Sequence, residues 1–150
     1  MGKAFIDTNV FYNILFETGL THEARRLLEE HEEDRFYTSL TVVNELLYVS
    51  ARRHYQASGE LGGPYSLRKA VESKGYPEFV VNGIRELLND LEVEVLAEGA
   101  GYQDVLETAS QLRLLPSDAI IALTCKLNGI STIITFDEDF KRVPWLKVVP

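Results

Sequence analysis

Apolar and polar positions alternate in short blocks along the chain, and their spacing changes from block to block. Residues 3–7 (Lys3-Ala4-Phe5-Ile6-Asp7) read as a short strand that Asp7-Thr8-Asn9 interrupts; Val10, Phe11, Ile14 and Leu15 then recur at helical spacing. Gly19 is expected to end that helix. Thr21 is expected to cap a second over residues 21–32, with Ala24, Leu27 and Leu28 inward. Residues 35–38 predict a second strand. Ser39 or Thr41 opens a helix to about Tyr55 with Val42, Val43, Leu46 and Leu47 on its apolar stripe. Gly59, Gly62, Gly63 and Pro64 predict a loop over 56–64, the one place where the chain is expected to hinge. Helices over 66–73 and 77–90 follow, then a strand at 93–96 and a helix over 101–114. Ser117 is expected to cap the next helix, which Asn128-Gly129 ends. Strands at 131–136 and 146–149 complete the order.

Short strands alternating with helices imply a mainly parallel sheet of about five strands covered on both faces, an α/β fold. No internal repeat or low-complexity tract interrupts it. At 150 residues the chain is read as one domain, with a helical insertion around 56–90. Cys125 is the only cysteine and lies in an apolar run, so a buried, inert thiol in a reducing cytoplasm is expected, with neither disulfide nor thiolate metal site. The first apolar run breaks too early for a signal peptide, and no stretch approaches a membrane span. The three histidines are far apart and form no ligand spacing. A net charge of −8 argues against a general nucleic-acid binder, since phosphates need Lys and Arg. It leaves a nuclease open, because a metal would cancel part of the acidity. The basic clusters Arg52-Arg53-His54, Arg68-Lys69 and Lys141-Arg142 read first as solvated helix faces or ends.

Asp7, Glu45, Asp118 and Asp137 each stand where an element starts or stops, beside a small hydroxyl or amide residue. In an open α/β sheet such positions converge at the carboxyl ends of the strands. Carboxylates that close repel one another, so convergence calls for a cation. Oxygen donors without His or Cys favour Mg²⁺ or Mn²⁺. Thr8, Asn9, Ser117 and Thr135 are candidates to orient the carboxylates or water, and Asp139 is a reserve acid. Each acid also has a local explanation. Asp7 can cap a helix, Asp118 can complement a helix dipole, Glu45 can face solvent, and Asp137 can form a turn. Among 23 acids some such pattern arises by chance, so spacing alone does not decide.

Four segments resemble the PIN-domain ribonuclease family, in its order and over nearly the whole chain. They are Phe5-Ile6-Asp7-Thr8-Asn9-Val10, Val43-Asn44-Glu45-Leu46, residues 116–122 (Pro116-Ser117-Asp118-Ala119-Ile120-Ile121-Ala122) and residues 135–140 (Thr135-Phe136-Asp137-Glu138-Asp139-Phe140). Size and element order are most similar to the VapC-type toxins of toxin–antitoxin pairs. The resemblance implies a Rossmann-like α/β/α sandwich and a metal-dependent endoribonuclease acting on RNA. It also implies a homodimer and an antitoxin protein that inhibits it. Asp7, Glu45, Asp118 and Asp137 match the family's acidic quartet. An antitoxin Arg or Lys reaching the carboxylates, and Phe11, Tyr12 and Tyr48 as interface anchors or core, are further expectations. The stretch from Gln56 to Phe79 is longer and richer in Gly than in compact members. Two other readings stay open: an RNA-processing nuclease of this family without an antitoxin, and a non-catalytic scaffold. A haloacid-dehalogenase-type phosphatase would need an acid where Asn9 stands, and a receiver domain would need an acidic pair near the first strand. No Gly-rich phosphate loop is present.

Overall fold

Five strands carry short apolar runs: β1 (Lys3–Ile6), β2 (Arg35–Ser39), β3 (Glu94–Leu96), β4 (Thr132–Ile134) and β5 (Lys147–Val149). They are seen in a computed structural model that describes residues 2–60 and 66–150. Residues 61–64 of the expected Gly-rich loop lie outside the described residues. Every strand pairing is parallel, in the order β3-β2-β1-β4-β5. Phe5 of the central strand faces Tyr37 of β2 on one side and Ile133 of β4 on the other.

Parallel neighbours cannot be joined by tight turns, so each connection climbs back through helices. Helices α1 (Thr8–Leu15) and α2 (Thr21–Glu30) join β1 to β2, and α3 (Leu40–Ala57), α4 (Ser66–Lys74) and α5 (Glu78–Asp90) join β2 to β3. Helices α6 (Tyr102–Leu112) and α7 (Pro116–Leu127) join β3 to β4, and a 3₁₀ turn (Glu138–Arg142) leads to β5. The first two crossovers step one way along the sheet and the third steps back past β1. Right-handed connections therefore put α1–α5 on one face and α6–α7 on the other. The contacts agree: α1 packs on α2, α3 and α5, and α6 packs on α7. Ala4, Phe5 and Ile6 are buried on both sides of β1, as expected for a strand covered on both faces.

The helix ends differ in detail from what the sequence predicts. α1 stops at Phe16, ahead of Gly19. Thr21 is the first residue of α2 rather than its cap, and its hydroxyl turns back to close the preceding loop. It donates to the Phe16 carbonyl at 3.1 Å and accepts from the Thr18 N–H at 2.8 Å. Ser39 caps α3 as expected, accepting from Val42 N–H at 3.5 Å, and Glu98 reinforces it by accepting from the Thr41 N–H at 2.5 Å. Ser117 does not cap α7. Pro116 takes the first helical position, where its missing N–H costs nothing, and the cap falls to Leu115. Phe11 is wholly buried in the core, which removes it as an interface anchor. Tyr12 is half-buried and Tyr48 is exposed. Cys125 is buried as expected. No described helix is long and apolar enough to cross a membrane.

Candidate functional site

The strand order reverses at β1 and β4, whose onward connections leave in opposite directions and open a crevice at their carboxyl ends. Asp7 directly follows β1, and Asp137 lies three residues past β4. Asp7 is the N-cap of α1, with Oδ1 accepting from the Thr8 N–H at 2.8 Å. Its Oδ2 accepts from the Thr135 hydroxyl at 2.7 Å. That hydroxyl oxygen in turn accepts from the Asp137 N–H at 3.0 Å and from Asn9 Nδ2 at 3.2 Å. Asn9 Oδ1 accepts from the Phe136 N–H at 3.0 Å, and Asp137 Oδ1 caps the 3₁₀ turn through the Asp139 N–H at 2.9 Å. One polar web thus ties the end of β1 to the end of β4. Its threonine and asparagine hold the Asp7 carboxylate, and the Asp139 N–H holds that of Asp137.

Two helices bring the other acids. Glu45 sits in the second turn of α3, whose apolar stripe faces the core, and Asp118 in the first turn of α7. Asp7, Glu45, Asp118 and Asp137 line one cavity of about 690 Å³. Asp118, Asp137 and Asp139 form the tightest group, each offering an oxygen within 4.8 Å of the others. The four-acid cavity and the three-acid group are not the same set. They share Asp118 and Asp137; Asp7 and Glu45 belong to the cavity alone and Asp139 to the three-acid group alone. Asp139, the reserve acid, thus lies beside Asp118 and Asp137, and Arg142 pairs with it at 3.1 Å. Glu45 Oε1 and Thr8 Oγ1 are buried and find no hydrogen-bond partner among the described residues. Ser117 is half-buried in the first turn of α7 and, among the described residues, its side chain makes no hydrogen bond to the acids.

The electrostatics follow from this crowding. Burial, then the charges of Asp7, Asp118 and Asp137, push Glu45 up to about 7. Burial, then Asp7, Asp137 and Asp139, push Asp118 up to about 7 against a smaller lowering by Arg142. Asp7 is also raised, by burial first, although the hydrogen bonds from Thr135 and Thr8 work in the other direction. Ionised carboxylates crowded in this way repel one another, and a bound cation would relieve that repulsion.

The cavity also has a wall that the sequence did not reveal. Tyr12 of α1 and, on α3, Val49, Arg52, Arg53 and Gln56 line it together with the acids. The four α3 residues follow Glu45 at steps of four, seven, eight and eleven, which is one helix face. Arg52 and Arg53 read in sequence as a solvated face; Arg53 is half-buried inside the cleft instead.

Thr135→Val tests the web. It keeps the volume but removes the one hydroxyl that donates to Asp7 and accepts from Asp137 and Asn9. A loss of about 1–3 kcal/mol in chemical-denaturation stability is expected. Any metal-supported activity of the site should fall about 10–100-fold, as for loss of a group that orients a metal ligand. Wild-type activity in a stably folded variant would show that the web does not aim the carboxylates.

The PIN domain family model matches residues 4–146 of the chain. The chain is 27% identical over 165 residues to ribonuclease VapC2 of Methanocaldococcus jannaschii, covering 98% of this chain and 93% of the relative. In fold it is similar to VapBC2 from Rickettsia felis bound to a promoter DNA fragment, with a TM-score of 0.65 and 18% identity, covering 98% and 97%. It is also similar to Mycobacterium tuberculosis VapC20, described as a sarcin-ricin loop cleaving toxin, with a TM-score of 0.63 and 17% identity, covering 98% and 99%.

Proposed function

Because the chain belongs to the PIN domain family, we propose that it is a divalent-metal-dependent endoribonuclease and the toxin of a toxin–antitoxin pair. The observation that carries this reading is the single cleft lined by Asp7, Glu45, Asp118 and Asp137 at the reversal point of the sheet. Its donors are all oxygens, which favours Mg²⁺ or Mn²⁺. The partnerless Glu45 Oε1 and Thr8 Oγ1 fit a site completed by a cation and its water. When bound, the ion supplies an acidified water and neutralises charge developing on the phosphodiester. Asp7 and Asp118 are the direct ligands in this reading. Glu45 and Asp137 bind directly or through water, and Asp139 serves a second position beside Asp118 and Asp137. Thr135 and Asn9 hold Asp7 in one orientation, so its charge need not reorganise during the reaction.

The relative named as a ribonuclease supports the activity, and the VapBC2 neighbour supports a partner protein. A basic or amphipathic antitoxin segment suits an acidic cleft, with an Arg or Lys side chain reaching the carboxylates. The protein is read as cytoplasmic, as a single domain with a helical insertion around 56–90, and as a homodimer.

Induced expression in a bacterial host tests the reading as a whole. Wild-type protein should arrest growth and produce discrete internal RNA breaks, and the Asp118→Asn variant at equal abundance should do neither. Co-expression of an antitoxin that binds the protein should restore growth. Normal growth with intact RNA at high wild-type abundance would refute the toxin reading.

A further inference from the structure

We infer that Arg53, seated on the aromatic pair Tyr12 and Phe16, holds a backbone phosphate of single-stranded RNA beside the carboxylates and so fixes the path of the strand along α3. The inference rests on the ribonuclease reading. Arg53 Nη1 donates to the Tyr12 hydroxyl at 2.9 Å. Its guanidinium lies 4.8 Å from the Phe16 ring centre and 5.5 Å from that of Tyr12. The two rings sit 5.2 Å apart, and Phe16 in turn meets the edge of Phe79 at 6.0 Å. Tyr12 of α1 and Phe16 at its C-terminal end therefore hold this guanidinium, and Phe79 of α5 backs Phe16.

Its charge is unanswered. No carboxylate lies within ion-pair distance of Arg53 among the described residues, although four acids line the same cavity. Of its five N–H donors, one is used by the Tyr12 hydroxyl. A half-buried, pre-oriented cation with free donors in a cleft is suited to an anion from outside, and the fork of donors matches phosphate oxygens. Attraction to the rings weakens neither the charge nor the fork, and it lowers the entropy lost on binding. Eight residues separate Glu45 from Arg53, roughly 12 Å of helical rise. Arg53 thus faces a different linkage from the one at the carboxylates. Arg52 at the mouth and Gln56 one turn on continue the same face. The Tyr12 ring beside the fork offers a base an aromatic surface, which an unpaired strand can use and a duplex cannot.

The test is Arg53→Met, which keeps an unbranched apolar stem over Phe16 and removes the charge, with Arg53→Lys beside it. Each is assayed for metal-supported cleavage of a short unpaired RNA, and for binding of that RNA in an Asp7→Asn background, where cleavage does not interfere. The RNA is then made with a neutral methylphosphonate at each linkage in turn. Arg53→Met should raise KM and the dissociation constant roughly 10–100-fold with kcat changed less than threefold. Arg53→Lys should recover only part of this. At one linkage the neutral group should weaken wild type and leave Arg53→Met unaffected. An unchanged KM, or additive losses at every linkage, would overturn the inference. If Arg53→Met proves unstable, the methylphosphonate series on Arg53→Lys and wild type decides by the same non-additivity. Failure of wild type to cut any RNA would instead overturn the ribonuclease reading beneath it.

Discussion

Asp7→Asn should abolish most RNA cleavage, by about 10²–10³-fold in kcat/KM, while leaving a folded protein. The magnitude follows from losing one of the direct charges that hold the ion: several kcal/mol of transition-state stabilisation, at 1.36 kcal/mol per tenfold. The fold should survive because Asn keeps the size of the side chain and one acceptor for the Thr8 N–H or the Thr135 hydroxyl. The lost charge-assisted hydrogen bond is offset by no longer burying an ion, since burial is the main cause that raises Asp7. Stability should therefore stay within about 1 kcal/mol of wild type in the absence of metal. Circular dichroism and denaturant melts check the fold, and a labelled RNA checks the activity. A cleaving Asp7→Asn variant would remove Asp7 from the reaction and leave it as a helix cap.

The second large effect concerns stability, pH and metal together. Metal-free, Glu45 and Asp118 keep their protons up to about pH 7, whereas in the unfolded chain they release them near their ordinary values of 4.5 and 3.8. Between about pH 4 and pH 7 the folded state thus binds more protons than the unfolded one, and stability falls as pH rises through this window. Below it the two states are equally protonated and the two groups cost nothing. Above it the penalty is complete. Both side chains are only partly buried, so solvent screens them, and each contributes on the order of 1–2 kcal/mol. The metal-free melting temperature should therefore drop about 5–10 °C from pH 5 to pH 8. Mn²⁺ should reverse this at pH 8, adding about 2.7 kcal/mol at a hundredfold excess over its dissociation constant. It should do little at pH 5, where protons compete for the same oxygens. The Glu45→Gln, Asp118→Asn double variant should show a flatter pH profile and no gain from Mn²⁺. An equal pH slope in that variant would trace the effect to the general acidity of the chain.

The strand-end acids were legible because a strand and a helix meet there in few residues. Asp7-Thr8-Asn9 breaks an apolar run, and only a capping or site acid suits that break. Asp137 stands out for the same reason after Thr132–Ile134. The parallel character of the sheet followed from helices between strands, but the order β3-β2-β1-β4-β5 did not, since no local pattern records which edge a crossover reaches. Ser117 misled because Ser is a good cap in isolation, and Pro116 ahead of it moved the helix start. Thr21 misled likewise, its hydroxyl being used to close the loop at Phe16. Asp139 ranks only as a reserve acid in sequence because its nearness to Asp118 depends on a 3₁₀ turn folding back toward α7. Arg53 was the least legible. Its neighbours on α3 are polar, which suggests solvent, and the rings that hold it come from α1. The signal was the shared face with Glu45, which gains meaning only once Glu45 is known to face the cleft.

The central claim is that the four acids at the sheet's reversal point form a metal centre that cuts RNA. It is tested most directly by incubating purified protein with end-labelled single-stranded RNAs in Mn²⁺, in Mg²⁺ and in EDTA, and resolving the products at single-nucleotide length. Internal fragments with either ion and intact RNA in EDTA are predicted. Intact RNA in saturating metal, or equal cleavage in EDTA, would contradict it.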